Sequence, residues 1–281
     1  MRRTVRIAIL TYALPIAAAI ALGAAACGGT VGTSHTADEA TTKQALTTPS
    51  HGPVRLIGEA LGDVPLRAEQ RTEIEKLASD AETRHATIAA AHKDVVLALA
   101  AQVEAGRIDR AALQPKIDAS VKAWEGVRPA DRAAIERLHT ILDADQRSEL
   151  VDAIESRIHA KMEAHPWRER MEEWSRDLKL TDDQKSRIGQ ALHAQFAGGG
   201  RLHEMHEGAK KGKHALEAFK QDRFVIDEVM PPADIAAHAA GATNHILGVA
   251  DAVLPILTAE QRTIAAQKLR TRAAAGDDLM Q

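Results

Sequence analysis

His203 and His206, with Glu204, Met205 and Glu207 beside them and His193 and His214 nearby, come closest to a constellation that could do chemistry. Side chains three apart share a helix face, and two imidazoles there suit a Zn or Cu ion. Two ligands do not complete a coordination shell, and Gly198 to Gly200, Gly208 and Gly212 weaken the local helix. The same stretch carries Arg201, Lys210, Lys211, Lys213 and Lys220. These five form either a solvated helix face or a positive surface for acidic polypeptides or anionic headgroups. His85 and His92, seven apart, are expected to flank an apolar stripe with one ring edge in water. The chain has no nucleophile elbow, no H-E-x-x-H and no phosphate-binding loop, and its one cysteine, Cys27, has a different reading. Catalysis is not expected, and no cofactor is called for beyond the Zn or Cu alternative.

Cys27 lies directly after Ala24-Ala25-Ala26, at the end of an apolar run that follows Arg2, Arg3 and Arg6. Residues 1–26 therefore read as a secretory signal, cut before a cysteine that then carries the lipid. A lone thiol has no disulfide partner in an oxidising compartment, which favours lipidation. A simply cleaved soluble protein and an uncleaved anchor are the alternatives, because Ala24 stands where a lipobox usually has Leu. Residues 27–53, rich in Gly, Thr, Ser and Ala, are expected to be a flexible tether. Removing Arg2, Arg3 and Arg6 takes the net charge from −3 to −6, which disfavours a nucleic-acid partner. With 2% aromatic residues, the core must be built from Ala, Leu, Ile and Val, which suits close helix packing.

The elements that must position these residues are helices. Ile74, Leu77, Ala81, Ile88, Ala91, Val95 and Ala98 lay one apolar stripe along a long helix that Gly106 ends. Asp109 should cap a second helix carrying Leu113, Ile117, Val121 and Trp124, expected to break near Gly126 and Pro129 and to resume at Ile135. Trp167, Met171, Trp174 and Leu178 mark an amphipathic helix that packs into the core. No segment alternates with period two, so no sheet is expected.

One signature recurs four times: Leu66-Arg-Ala-Glu-Gln70, Leu142-Asp-Ala-Asp-Gln146, Leu180-Thr-Asp-Asp-Gln184 and Leu257-Thr-Ala-Glu-Gln261. The leucines lie 76, 38 and 77 residues apart, the spacing of a tandem duplication. Each signature reads as a capping box, in which Asp143, Thr181 or Thr258 accepts from the N3 amide and the glutamine reaches back to the cap residue. Arg67 cannot accept, so the first copy should be the weakest. The units are expected at 54–163 and 164–281.

These motifs resemble the Spy/CpxP-like periplasmic family, recognised by paired L-T-x-x-Q motifs. The stretch Asp177-Leu-Lys-Leu-Thr-Asp-Asp-Gln-Lys-Ser-Arg-Ile188 is the nearest, followed by Leu254-Pro-Ile-Leu-Thr-Ala-Glu-Gln-Arg262, and the likeness spans about 54–272. It implies an all-α fold of two tandem units of long antiparallel, hooked helices forming a cradle. It also implies an ATP-independent chaperone or stress-response protein in the bacterial envelope, facing the periplasm. Its partners would be unfolded or aggregation-prone envelope proteins, with the lipid at Cys27 holding it to a membrane. Client contacts would fall on Arg201, Lys210, Lys211, Lys213 and Lys220. Two copies in one chain suggest an internal pseudo-dimer, with a homodimer as the other arrangement. A metal-binding or metal-sensing protein and a purely structural lipoprotein are the competing readings.

Overall fold

The computed structural model describes residues 41–163, 166–196, 200–231 and 235–275. The signal segment and Cys27 lie outside the described residues. The fold is all-α: α1 (Gly52–Leu61), α2 (Ala68–Ala105), α3 (Arg110–Ile141), α4 (Ala144–Glu163), α5 (Pro166–Asp177), α6 (Asp182–Phe196), α7 (Gly200–Phe219), α8 (Ile226–Val229), α9 (Ile235–Val253) and α10 (Ala259–Ala275), with a 3-10 turn at Leu254–Ile256. Among the described residues there is no strand, only an isolated bridge between Thr42 and Leu66.

Helix α2, 38 residues long, spans about 57 Å at 1.5 Å per residue. It ends as expected at Gly106, whose φ of 76° is the left-handed conformation that only glycine adopts without strain. Asp109 then caps α3, its carboxylate accepting from the Ala112 amide at 3.0 Å. The break expected near Gly126 and Pro129 does not occur, and α3 runs unbroken through Pro115 and Pro129. A proline inside a helix forfeits one backbone hydrogen bond and costs about 3 kcal/mol. Here burial of Val127 and Leu138 on the core side holds the helix together, while both proline rings stay exposed.

The core does not divide at the 163/164 boundary between the copies. One cluster joins Ala60, Leu61, Val64, Leu66, Ile74, Leu138, Leu150 and Val151 of the first copy to Phe219 of the second. Another joins Leu99, Ala100, Val103, Leu113 and Ile117 to Leu178, Leu247, Leu254, Ala265 and Ala266. Each end of the α2–α3 hairpin is thus finished by a different part of the chain. Helix α10 covers the C-terminal half of α2, and α7 lies against α4. Trp174 and Leu178 pack into the second cluster as expected, whereas Met171 is exposed and the Trp167 side chain lies outside the described residues.

Of the flexible tether expected over 27–53, residues 27–40 lie outside the described residues, and only the part from 41 onward is corrected. Residues 41–51 lie on the body as a strap, because Thr42 pairs with Leu66 and the Glu75 carboxylate accepts from both Thr47 and Thr48. Pro53 already lies in the first turn of α1.

Candidate functional site

The four glutamines of the repeated signature form two clasps. Gln70 Nε2 donates to Gln146 Oε1 at 2.7 Å, and Gln146 Nε2 returns the bond to Gln70 Oε1 at 3.0 Å. Gln184 and Gln261 do the same at 2.8 and 3.0 Å. All four are buried, with exposures of 5, 4, 8 and 9%. Each Oε1 also accepts from the main chain of its own cap residue, Arg67, Asp143, Thr181 or Thr258. Each remaining Nε2 proton goes to a carbonyl beside the partner motif: Ile141, Pro65, Ile256 or Leu178. The one irregular acceptor, Leu178, two residues before its leucine where the others are one before, directly precedes Lys179, whose φ of 48° turns the chain there. A buried amide is tolerable only when its hydrogen-bonding groups are met, and these clasps meet them.

The capping boxes are present as read. The main-chain amides of Gln146, Gln184 and Gln261 donate in turn to the side-chain oxygens of Asp143, Thr181 and Thr258 at 3.0, 3.2 and 3.2 Å. In the first copy Arg67 offers no acceptor, and its guanidinium instead meets Asp143 across the clasp at 3.5 Å. The cap was legible but the clasp was not seen. Its signal was available in the pairing distances, since Gln70 to Gln146 and Gln184 to Gln261 span 76 and 77 residues.

The arginine after each second-motif glutamine was also missed, and it ties the copies together. Arg147 Nη1 donates to Leu142 O at 3.1 Å, and Arg262 Nη1 to Leu257 O at 2.9 Å. Arg147 then reaches Asp222, in the turn after α7, at 2.8 Å. Arg262 lies under Gly106, in the turn after α2, where a Cβ would stand only 2.9 Å from its Nε. Each clasp therefore touches the hairpin tip of the other copy. His139 adds to the first junction, stacked on Phe224 and edge-on to Phe219, with its Nε2–H donating to Gln221 O at 2.8 Å.

Of the basic residues on and just after α7, Lys220 meets Asp152 at 3.0 Å and Glu217 at 3.8 Å. Burial would lower its pKa, but these carboxylates raise it above the ordinary lysine value. Lys210 pairs with Glu207 at 2.9 Å, Lys211 is exposed, and Lys213 has a partner of its own. Acidic neighbours thus answer much of the expected positive patch. The side chains of Arg201, His203 and His206 lie outside the described residues; among the described ones no cluster of three metal-ligating groups occurs.

His85 does more than flank the core. Its Nε2–H donates to Asp131 at 2.7 Å, beside the Arg84 guanidinium at 2.9 Å from the same carboxylate. Burial pushes the Asp131 carboxyl up, yet the bonds from His85 and Arg84 outweigh it and hold its pKa below the ordinary value of 3.8. This group closes one end of an apolar cavity of about 110 Å³ bounded by Leu46, α1, α2 and α3. No family model, characterised protein or solved structure matches this chain.

Proposed function

We propose that the protein is an ATP-independent chaperone or stress-response protein of the bacterial envelope, exported, lipid-anchored at Cys27, and binding unfolding envelope proteins on its helical surface. The observation that carries this reading is the use of all four Leu-x-x-x-Gln motifs as two equivalent buried clasps that close a helical body from two interleaved copies. That is the arrangement expected when a motif pair like that of the Spy/CpxP-like proteins is duplicated within one chain, so that one polypeptide supplies what two would. Export and the lipid rest on the Arg-rich leader and the Ala-Ala-Ala-Cys27 sequence. A holdase of this kind acts through weak, multiple contacts and needs no nucleotide.

The deciding experiment is light scattering of an aggregating model protein with the mature chain at substoichiometric to equimolar ratios. Suppression is expected. Unchanged scattering at equimolar ratio would discard the chaperone reading.

A further inference from the structure

We propose that the groove holding residues 41–51 is a receptor for an extended polypeptide segment with an aromatic side chain at the position of Leu46, and that the chain's own strap fills it when no such partner is present. The partner's identity, an unfolded envelope protein, rests on the chaperone reading; the groove itself does not.

The strap shows how an extended segment is held. Thr42 and Leu66 exchange main-chain hydrogen bonds at 3.0 and 3.1 Å. Arg71 donates to the Gln44 and Thr42 carbonyls at 2.8 and 3.0 Å. Glu75 accepts four bonds, from the amides of Thr47 and Thr48 at 2.6 and 3.1 Å and from their hydroxyls at 3.0 and 2.6 Å. Most of these bonds use the main chain, as strand-adding recognition does, and leave selectivity to one side-chain pocket.

That pocket is only partly filled. Leu46 packs over Gly58 at one wall of the cavity of about 110 Å³, whose other walls include Ile57, Leu61, Leu77 and Leu138. A dry apolar cavity of about 150 Å³ takes a benzene ring. A ring at the position of Leu46 would enter space that leucine leaves empty, so the strap is a weaker occupant than an aromatic competitor. It holds the site through its covalent link, which supplies an effective concentration of about a millimolar or more. The second copy lacks, at the matching position, the carboxylate that holds the strap. Counting from the motif glutamines, the second copy has Gly189 where the first has Glu75, and space around Gly189 is open.

The test uses the full chain with its strap loosened by Leu46→Ala, Thr47→Ala and Thr48→Ala, which leaves Arg71, Glu75 and the cavity walls on α1, α2 and α3 intact. A fluorescent peptide of sequence 41–51 and its Leu46→Phe form are titrated by anisotropy. Saturable binding to the loosened chain is expected, at least tenfold tighter for the Phe peptide than for the Leu peptide, and at least tenfold weaker to the wild-type chain. No binding of either peptide to a loosened chain of unchanged helical content, or equal affinity for the two, would overturn the proposal. A second measurement stands even if the loosened chain fails to fold: Leu46→Phe in the intact chain should raise Tm, and a lowered Tm counts against the site. Either result can fail while the wild-type chain still suppresses aggregation, so the two readings fail separately.

Discussion

The two motif pairs, one in each half of the chain, keep the same clasp and differ in what runs between its halves. In the first copy α2 is one helix of 38 residues, reinforced by the strap at Thr47, Thr48 and Glu75. In the second copy the matching position, 189, is glycine where the first copy has Glu75, and a Cβ there would meet nothing. Yet Gln184 and Gln261 pair just as Gln70 and Gln146 do. The motif fixes where two helix starts meet, and the helices leaving that point are free to diverge.

Breaking the clasps tests this equivalence most strongly. Gln146→Leu and Gln261→Leu each leave a buried partner amide and two main-chain groups short of a hydrogen bond, and each should cost about 3 kcal/mol in urea unfolding. Similar losses sustain the equivalence, and a loss confined to one copy breaks it. Replacing both partners, as in Gln70→Leu with Gln146→Leu, strands four main-chain groups, at Arg67, Ile141, Asp143 and Pro65, and should cost more than either single change. Next, Gly106→Ala should cost about 1–2 kcal/mol from its left-handed φ alone, and more as Arg262 gives way. Smaller and of opposite sign, Gly126→Ala in α3 and Gly189→Ala in α6 should each stabilise by about 0.5–1 kcal/mol, since both glycines are exposed in helices and a Cβ meets nothing.

The finest difference between the copies is acid sensitivity. Burial raises the Glu75 carboxyl, but the bonds from Thr48 and Thr47 outweigh it and hold its pKa below the ordinary 4.5. A lowered folded pKa contributes stability that is present above 4.5 and lost as pH falls through the folded value. The stability gap between wild type and Glu75→Gln should therefore be fully open at neutral pH and narrow as pH falls below 4.5. Mutating Gly189, its counterpart in the second copy, should leave the acid limb unchanged.

Much of this was legible in the sequence. The all-α class, the end of α2 at Gly106, the cap at Asp109 and the capping boxes follow from local chemistry that a few adjacent residues contain. The continuity of α3 does not, because the pull of Pro129 toward a break is local while the burial of Val127 and Leu138 that overrides it is tertiary. The clasps, the Arg147–Asp222 tie and the Lys220–Asp152 pair join residues 68 to 77 positions apart, where a capping role already accounts for the glutamines and exposure for the charges. The strap reads as a linker because the stretch is rich in Gly, Thr, Ser and Ala, and its order depends on Glu75, 27 or 28 residues further on.

The covering of α2 by α10 sets a timetable. Arg270 meets Glu104 across 166 residues, and the cluster of Leu99, Ala100 and Val103, begun by Leu113 and Ile117, is completed when Ala265 and Ala266 arrive. At roughly 5–20 residues per second of synthesis, that half of α2 waits about 10–30 s for its cover. The first copy cannot finish folding before the second exists, so any C-terminal truncation that removes α10 should yield an aggregation-prone product and not a smaller working protein.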